Sequence, residues 1–168
     1  MYKKSTIAIL ALFIVVVVMD NYASAITWLY PAIQEMRKLK QRFKENESMP
    51  YFFEDYTKIT GGRLKGWIDD KKKFILLDVR PKKDYENEHI IGAESLPFDE
   101  LFNDPTLINK YDLDSIVVVY CDSEMNWEAA TATFFLEYLG FSFTKIYWYR
   151  VGIVDWIKRG YPTEKADK

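Results

Sequence analysis

Ser115-Ile116-Val117-Val118-Val119-Tyr120-Cys121 is the stretch that decides the fold. Its residues are β-branched almost without a break, do not alternate with polar ones, and are too few for an ordinary helix. That pattern predicts a strand over Ser115–Tyr120, buried on both faces, that runs out at Cys121. Downstream, Asn126 to Leu139 reads as a helix stopped by Gly140, with Phe134, Phe135, Leu136 and Leu139 taken as core. Thr144 to Tyr149 reads as a further strand, and Gly152 to Lys158 as a helix stopped by Gly160. Upstream, Phe74 to Val79 is a short buried strand bounded by Lys71–Lys73 and Arg80-Pro81, followed by a helical turn over Lys82–Glu88 and a short strand over 93–96. Phe98–Phe102 and Pro105–Tyr111 supply helical pieces. Before them, Ile59-Thr60 reads as a strand end and a Thr N-cap, opening a helix to Ile68 that buries Leu64, Trp67 and Ile68. Strands alternate with helices throughout, which predicts an α/β domain with a mainly parallel sheet covered by helices on both faces.

Composition bounds what such a domain does. Hydrophobic residues make up 49% of the 168, enough for a real core in one domain plus a leader. The formal net charge is −2, so no basic excess points to nucleic acid. One cysteine and one histidine exclude an internal disulfide and argue against a His/Cys metal site.

The N-terminus has a different character. Lys3 and Lys4 precede an apolar run from Ile7 to Met19, closed by Asp20 and Asn21: the charged-then-apolar order of an export signal. A helix over that run rises about 21 Å, short of the ~30 Å hydrocarbon core, and Ala23-Ser24-Ala25 offers a small-residue cleavage site. Tyr22 to Tyr30 is again mostly apolar, with Trp28 and Tyr30 suited to a membrane interface, so a tilted span is also feasible. Both readings, a cleaved signal peptide and a retained anchor, stay open, with retention preferred. Both place the domain outside the cytoplasm, on the periplasmic side if the source is bacterial, as an anchored or secreted protein. Ala32 to Glu47 follows with Ile33, Met36, Leu39 and Phe43 at helical spacing among lysines and arginines, an amphipathic connecting helix broken at Met49-Pro50. The expected organisation is a leader over 1–30, a connecting helix and linker over 31–56, the globular domain over 57–165 and a tail over 166–168.

In an open parallel sheet, ligands bind beyond the carboxyl ends of the strands, and Cys121 sits where a central strand passes into a loop before a helix. A loop entering a helix N-terminus presents unpaired N–H groups and the positive end of the macrodipole, which stabilise a thiolate or a bound anion. Cys121 is therefore the residue expected to carry the chemistry. Asp78 and Arg80, just past a strand, are expected to pair with each other or hold the neighbouring loop rather than bind substrate. His89 is read as a structural turn residue, and Trp127 equally as packing at the helix start and as a lid over Cys121.

Several stretches together resemble the rhodanese-like domain family. Leu76-Leu77-Asp78-Val79-Arg80, Tyr85-Glu86-Asn87-Glu88-His89-Ile90-Ile91-Gly92-Ala93 and Leu96-Pro97 are similar to its first signature. Val117 to Cys121 is similar to the strand bearing its nucleophilic cysteine. Gly140-Phe141, Val151-Gly152-Ile153-Val154-Asp155-Trp156 and Gly160-Tyr161-Pro162 are similar to its closing signature. The resemblance runs from about Ile59 to Glu164. It implies a five-stranded parallel sheet and sulfur transfer through a cysteine persulfide held by loop N–H groups.

The loop departs from the family pattern. Asp122-Ser123-Glu124-Met125-Asn126-Trp127 has neither the usual arginine nor a glycine, is longer than usual, and brings two carboxylates near the thiol. Asp122 and Glu124 are expected to oppose a thiolate and repel thiosulfate. The length resembles the loop of exported or membrane-anchored rhodanese-like proteins and of related cell-cycle phosphatases, but the missing arginine argues against phosphatase activity. Val151 stands where the family has the first of two glycines, narrowing the loop's surroundings. Two functions follow from the resemblance. In one, Cys121 takes a sulfane sulfur from a donor and passes it to a thiol or protein acceptor, with the N–H groups of Asp122, Ser123, Glu124, Met125, Asn126 and Trp127 holding the sulfur. In the other, a catalytically silent fold serves as a membrane-tethered binding or structural subunit of a larger complex. Neither calls for a cofactor.

Overall fold

The structure, a computed structural model, describes residues 34, 55–123 and 127–166. The leader over 1–30 and, apart from a helical Gln34, the connecting segment up to residue 54 lie outside the described residues. No helix among the described residues is long and apolar enough to cross a membrane.

The described chain runs β1 (Thr57–Lys58), α1 (Gly61–Asp69), β2 (Ile75–Asp78), α2 (Lys82–Asn87), β3 (His89–Ile90), β4 (Glu94–Ser95), α3 (Phe98–Asn103), a 3-10 helix (Pro105–Lys110), β5 (Val117–Tyr120), α4 (Trp127–Tyr138), a 3-10 turn (Phe143–Lys145), β6 (Ile146–Tyr149), α5 (Gly152–Lys158) and β7 (Thr163–Glu164). Five strands form one sheet in the order β1-β6-β5-β2-β4, and every pairing in it is parallel. The Val117–Tyr120 run is its centre, buried along its whole length because β2 and β6 flank it and helices cover both faces. On one face Leu76, Val118, Tyr120 and Tyr149 pack with Leu64 and Trp67 of α1 and Ile153 and Trp156 of α5. Alternation turns Leu77, Val117, Val119 and Trp148 to the other face, covered by α3 and α4.

Local signals hold where they were local. Thr60 caps α1, its hydroxyl accepting from the Arg63 N–H at 3.3 Å. Corrections arise at element ends. The strand expected from Thr144 begins at Ile146, because Lys145 N–H turns back to the Ser142 carbonyl at 2.8 Å. Ile68, Phe134 and Leu139 are half-buried rather than core, at the flanks of helices whose inward faces are Leu64 and Trp67 or Phe135 and Leu136. His89 is not a turn residue. It opens β3, which pairs antiparallel with β7, His89 opposite Glu164.

Candidate active site

Cys121 follows β5 directly, at the carboxyl end of the central strand, and is only 2% exposed. The first turn of α5 grips the backbone there. Ile153 N–H donates to the Cys121 carbonyl and Val154 N–H to the Asp122 carbonyl, both at 3.0 Å. Described peptide bonds are all trans, so the N–H groups of Asp122 and Ser123 point to the side opposite their tethered carbonyls. Gly152 permits this approach. Its φ is +64°, and a Cβ there would fall well inside contact distance of the Cys121 and Asp122 carbonyl oxygens. Val151, by contrast, has a φ of −78° and ψ of −6°, ordinary for any residue, and packs on the core cluster rather than demanding a glycine.

Behind the cysteine lies a buried charged network. Arg80 Nη2 donates to Asp78 Oδ2 at 2.6 Å and Arg80 Nε to Oδ1 at 2.9 Å, with Asp78 fully buried and Arg80 5% exposed. Tyr120 donates its hydroxyl to Asp78 Oδ2 at 2.7 Å and accepts from the Ile90 N–H at 3.1 Å. Arg80 Nη2 also reaches the Glu88 carbonyl at 2.7 Å. Burial alone would pull the Arg80 guanidinium down, yet the hydrogen bonds and charge of Asp78 hold it above its ordinary value. Burial, then the Asp78 charge, pushes the Tyr120 hydroxyl far up, so it remains a donor. The expected Asp78–Arg80 pair is thus present, and it reaches the loop: Arg80 Nη1 lies 3.5 Å from Asp122 Oδ1. The Asp122 carboxylate is 44% exposed and shares its charge with Arg80.

The profile of the rhodanese-like domain matches residues 60–159. The chain belongs to the rhodanese-like domain family. Among curated proteins it is similar to a Mycobacterium tuberculosis protein described as "Probable adenylyltransferase/sulfurtransferase MoeZ", 32% identical over 104 residues. That match covers 62% of this chain but 25% of the relative, so the chain spans about a quarter of the length of the curated relative it matches. Among solved structures, a Bacillus halodurans protein superposes with a TM-score of 0.60 at 24% identity, covering 70% of this chain and 86% of that one. A rhodanese-related protein of Thermoplasma volcanium superposes at 0.54 with 25% identity, covering 66% of this chain and all of that one (100%).

Within this rhodanese-like domain the residues singled out from sequence divide into four groups. Cys121, Asp122, Asp78 and Arg80 cluster at the ends of β5 and β2. Trp127 opens α4, its ring edge-on to Phe98 with centroids 5.3 Å apart, which gives it a packing partner. Glu124, Met125 and Asn126 lie outside the described residues. His89 is structural: its Nδ1 donates to the Tyr85 carbonyl at 2.8 Å, and its ring stacks on Tyr85 at 3.7 Å. No group of three or more His, Cys, Asp or Glu side chains among the described residues could hold a metal.

Sequence reasoning missed Tyr120, the α5 amides, and a groove of about 280 Å³ beside Arg80 and Asp122, walled by α2 and α5. A hydroxyl ending an otherwise apolar buried run was the available signal for Tyr120. Nothing local marks the other two, since they form between residues far apart in the chain.

Proposed function

We propose that this rhodanese-like domain is a sulfurtransferase or sulfur carrier working through a persulfide on Cys121. The observation that carries the reading is the double tether of the Cys121 and Asp122 carbonyls to α5. It takes the two oxygens away from the loop's other side and leaves N–H groups facing there, the arrangement an anionic sulfur needs. The chain's likeness to a relative described as a "Probable adenylyltransferase/sulfurtransferase" agrees with it. In the reaction, the Cys121 thiolate attacks a donor's sulfane sulfur. An S–S bond forms to Cys121 as the donor's bond to that sulfur breaks, and the electron pair leaves with the donor. An acceptor thiolate then attacks the outer sulfur and the pair returns to Cys121, with no net oxidation. The thiol's burial and the carboxylate of Asp122 make an anionic donor such as thiosulfate a poor one, and favour a neutral or protein-bound donor.

Mass spectrometry of the full chain after exposure to a neutral organic trisulfide should show a mixed trisulfide on Cys121, the transferred sulfur keeping one organic arm as the other leaves as thiolate, and thiosulfate, whose terminal sulfur would add about 32 Da, should react less. Absence of the adduct with every donor defeats the reading. The 2% exposure of Cys121 supports the second reading, a silent fold acting as a membrane-tethered subunit, which that null result would favour. The Lys3-Lys4 and Ile7–Met19 pattern supports a location outside the cytoplasm for either role. A reporter fused after Tyr30 should be active there, and cytoplasmic activity refutes the placement.

A further inference from the structure

The groove between α2 and α5 is built from two helix faces of different character. Asp84 and Asn87 lie on one side of α2, and Glu88 continues that side past its end, at the i, i+3, i+4 spacing that shares a face. Lys82, two residues before Asp84, falls on the opposite side of the helix. On α5, Ile153 and Ile157 line the groove one turn apart. Ile157 is 45% exposed and Val154 57%, so α5 carries an apolar strip that the described domain leaves uncovered. The groove ends at Arg80 and Asp122, and Val154 N–H holds the Asp122 carbonyl, so the strip runs up to the Cys121 loop.

Charge decides what fits. Among the described lining residues Asp84, Glu88 and Asp122 present three carboxylates against one cation, Arg80, which buried Asp78 already matches and Asp122 shares. A segment laid in the groove must bring positive charge for the rim of α2 and an apolar side chain for Ile157 and Val154; a small anion gains neither. We propose that this groove docks a basic, partly apolar polypeptide segment, belonging to the protein that exchanges sulfur with Cys121. The docking stands on the groove itself; the assignment of its occupant as the sulfur partner rests on the persulfide reading above.

The test separates the two. Fluorescently labelled hexapeptides without cysteine, one carrying two leucines and two lysines and one with glutamates for the lysines, are titrated against the full chain in non-ionic detergent. Binding then requires no sulfur chemistry. The lysine peptide should bind and the glutamate peptide should not, with affinity falling as salt rises. Asp84→Asn should weaken binding about two- to fivefold, and Ile157→Gln about fivefold. Circular dichroism checks that each variant folds. Equal binding of the two peptides, or unchanged affinity in both variants, overturns the docking. So does a concentration-dependent dimer that Ile157→Gln dissolves, because the occupant is then a second copy of this chain. A cysteine-bearing lysine peptide should take sulfur from the loaded chain faster than its glutamate counterpart; selective docking without any transfer leaves the groove standing and removes the assignment of its occupant as the sulfur partner.

Discussion

Replacing Gly152 by alanine tests the clamp on the Cys121 loop. At a φ of +64°, a Cβ costs about 1 kcal/mol from left-handed backbone alone. The larger effect is steric. The new methyl group would overlap the carbonyls of Cys121 and Asp122, which are backbone atoms and have no rotamer to retreat into, so α5 and the Cys121 loop must part by on the order of 1 Å. Both 3.0 Å hydrogen bonds from Ile153 and Val154 then fail, each worth about 0.5–1.5 kcal/mol net. The expected loss is about 2–4 kcal/mol, a Tm drop on the order of 10–20 °C for a domain of this size. Gly92 is the control: its φ is +76°, but nothing lies within 4 Å of a Cβ there, so Gly92→Ala should cost only the backbone contribution of about 1 kcal/mol. Urea unfolding followed by tryptophan fluorescence reads both, since Trp148 and Trp156 are fully buried. Equal losses in the two variants would refute the clamp. Gly152→Ala should also slow sulfur uptake by Cys121 more than Gly92→Ala does.

Tyr120→Phe should destabilise the domain by about 1–3 kcal/mol, because the buried Ile90 N–H loses its acceptor and Asp78 a donor. A change below about 0.5 kcal/mol in urea unfolding argues against that network. The hydrogen bond from Arg159 Nε, at 2.6 Å, holds the Asp155 carboxyl below the usual carboxylate range despite partial burial. A folded pKa below the unfolded one gives stability that is present above the unfolded value and lost as pH falls through the folded one. Asp155→Asn should therefore flatten the stability profile below about pH 4 and leave its neutral slope unchanged; a profile parallel to the parent across that range contradicts the assignment.

The sequence by itself determined the alternation of strands and helices, the burial of the Val117–Tyr120 run and the position of Cys121 at its end. It also determined the Thr60 cap and the pairing of Asp78 with Arg80. Each depends on residues within a few positions of one another, so side-chain period, β-branching and spacing suffice to read it. The strand order β1-β6-β5-β2-β4 and the β3–β7 pair were decided only in three dimensions. Two-residue strands such as His89–Ile90 and Thr163–Glu164 have no periodicity to detect, and they exist because their partners stand more than seventy residues apart in the chain yet adjacent in space. The same holds at the site. Tyr120 meets Ile90 across thirty residues and Asp78 across forty-two, and the α5 amides meet the Cys121 loop from a later element altogether. Contacts of that separation are set by how the sheet and its helices pack, which burial of the whole core fixes and no local window of sequence contains.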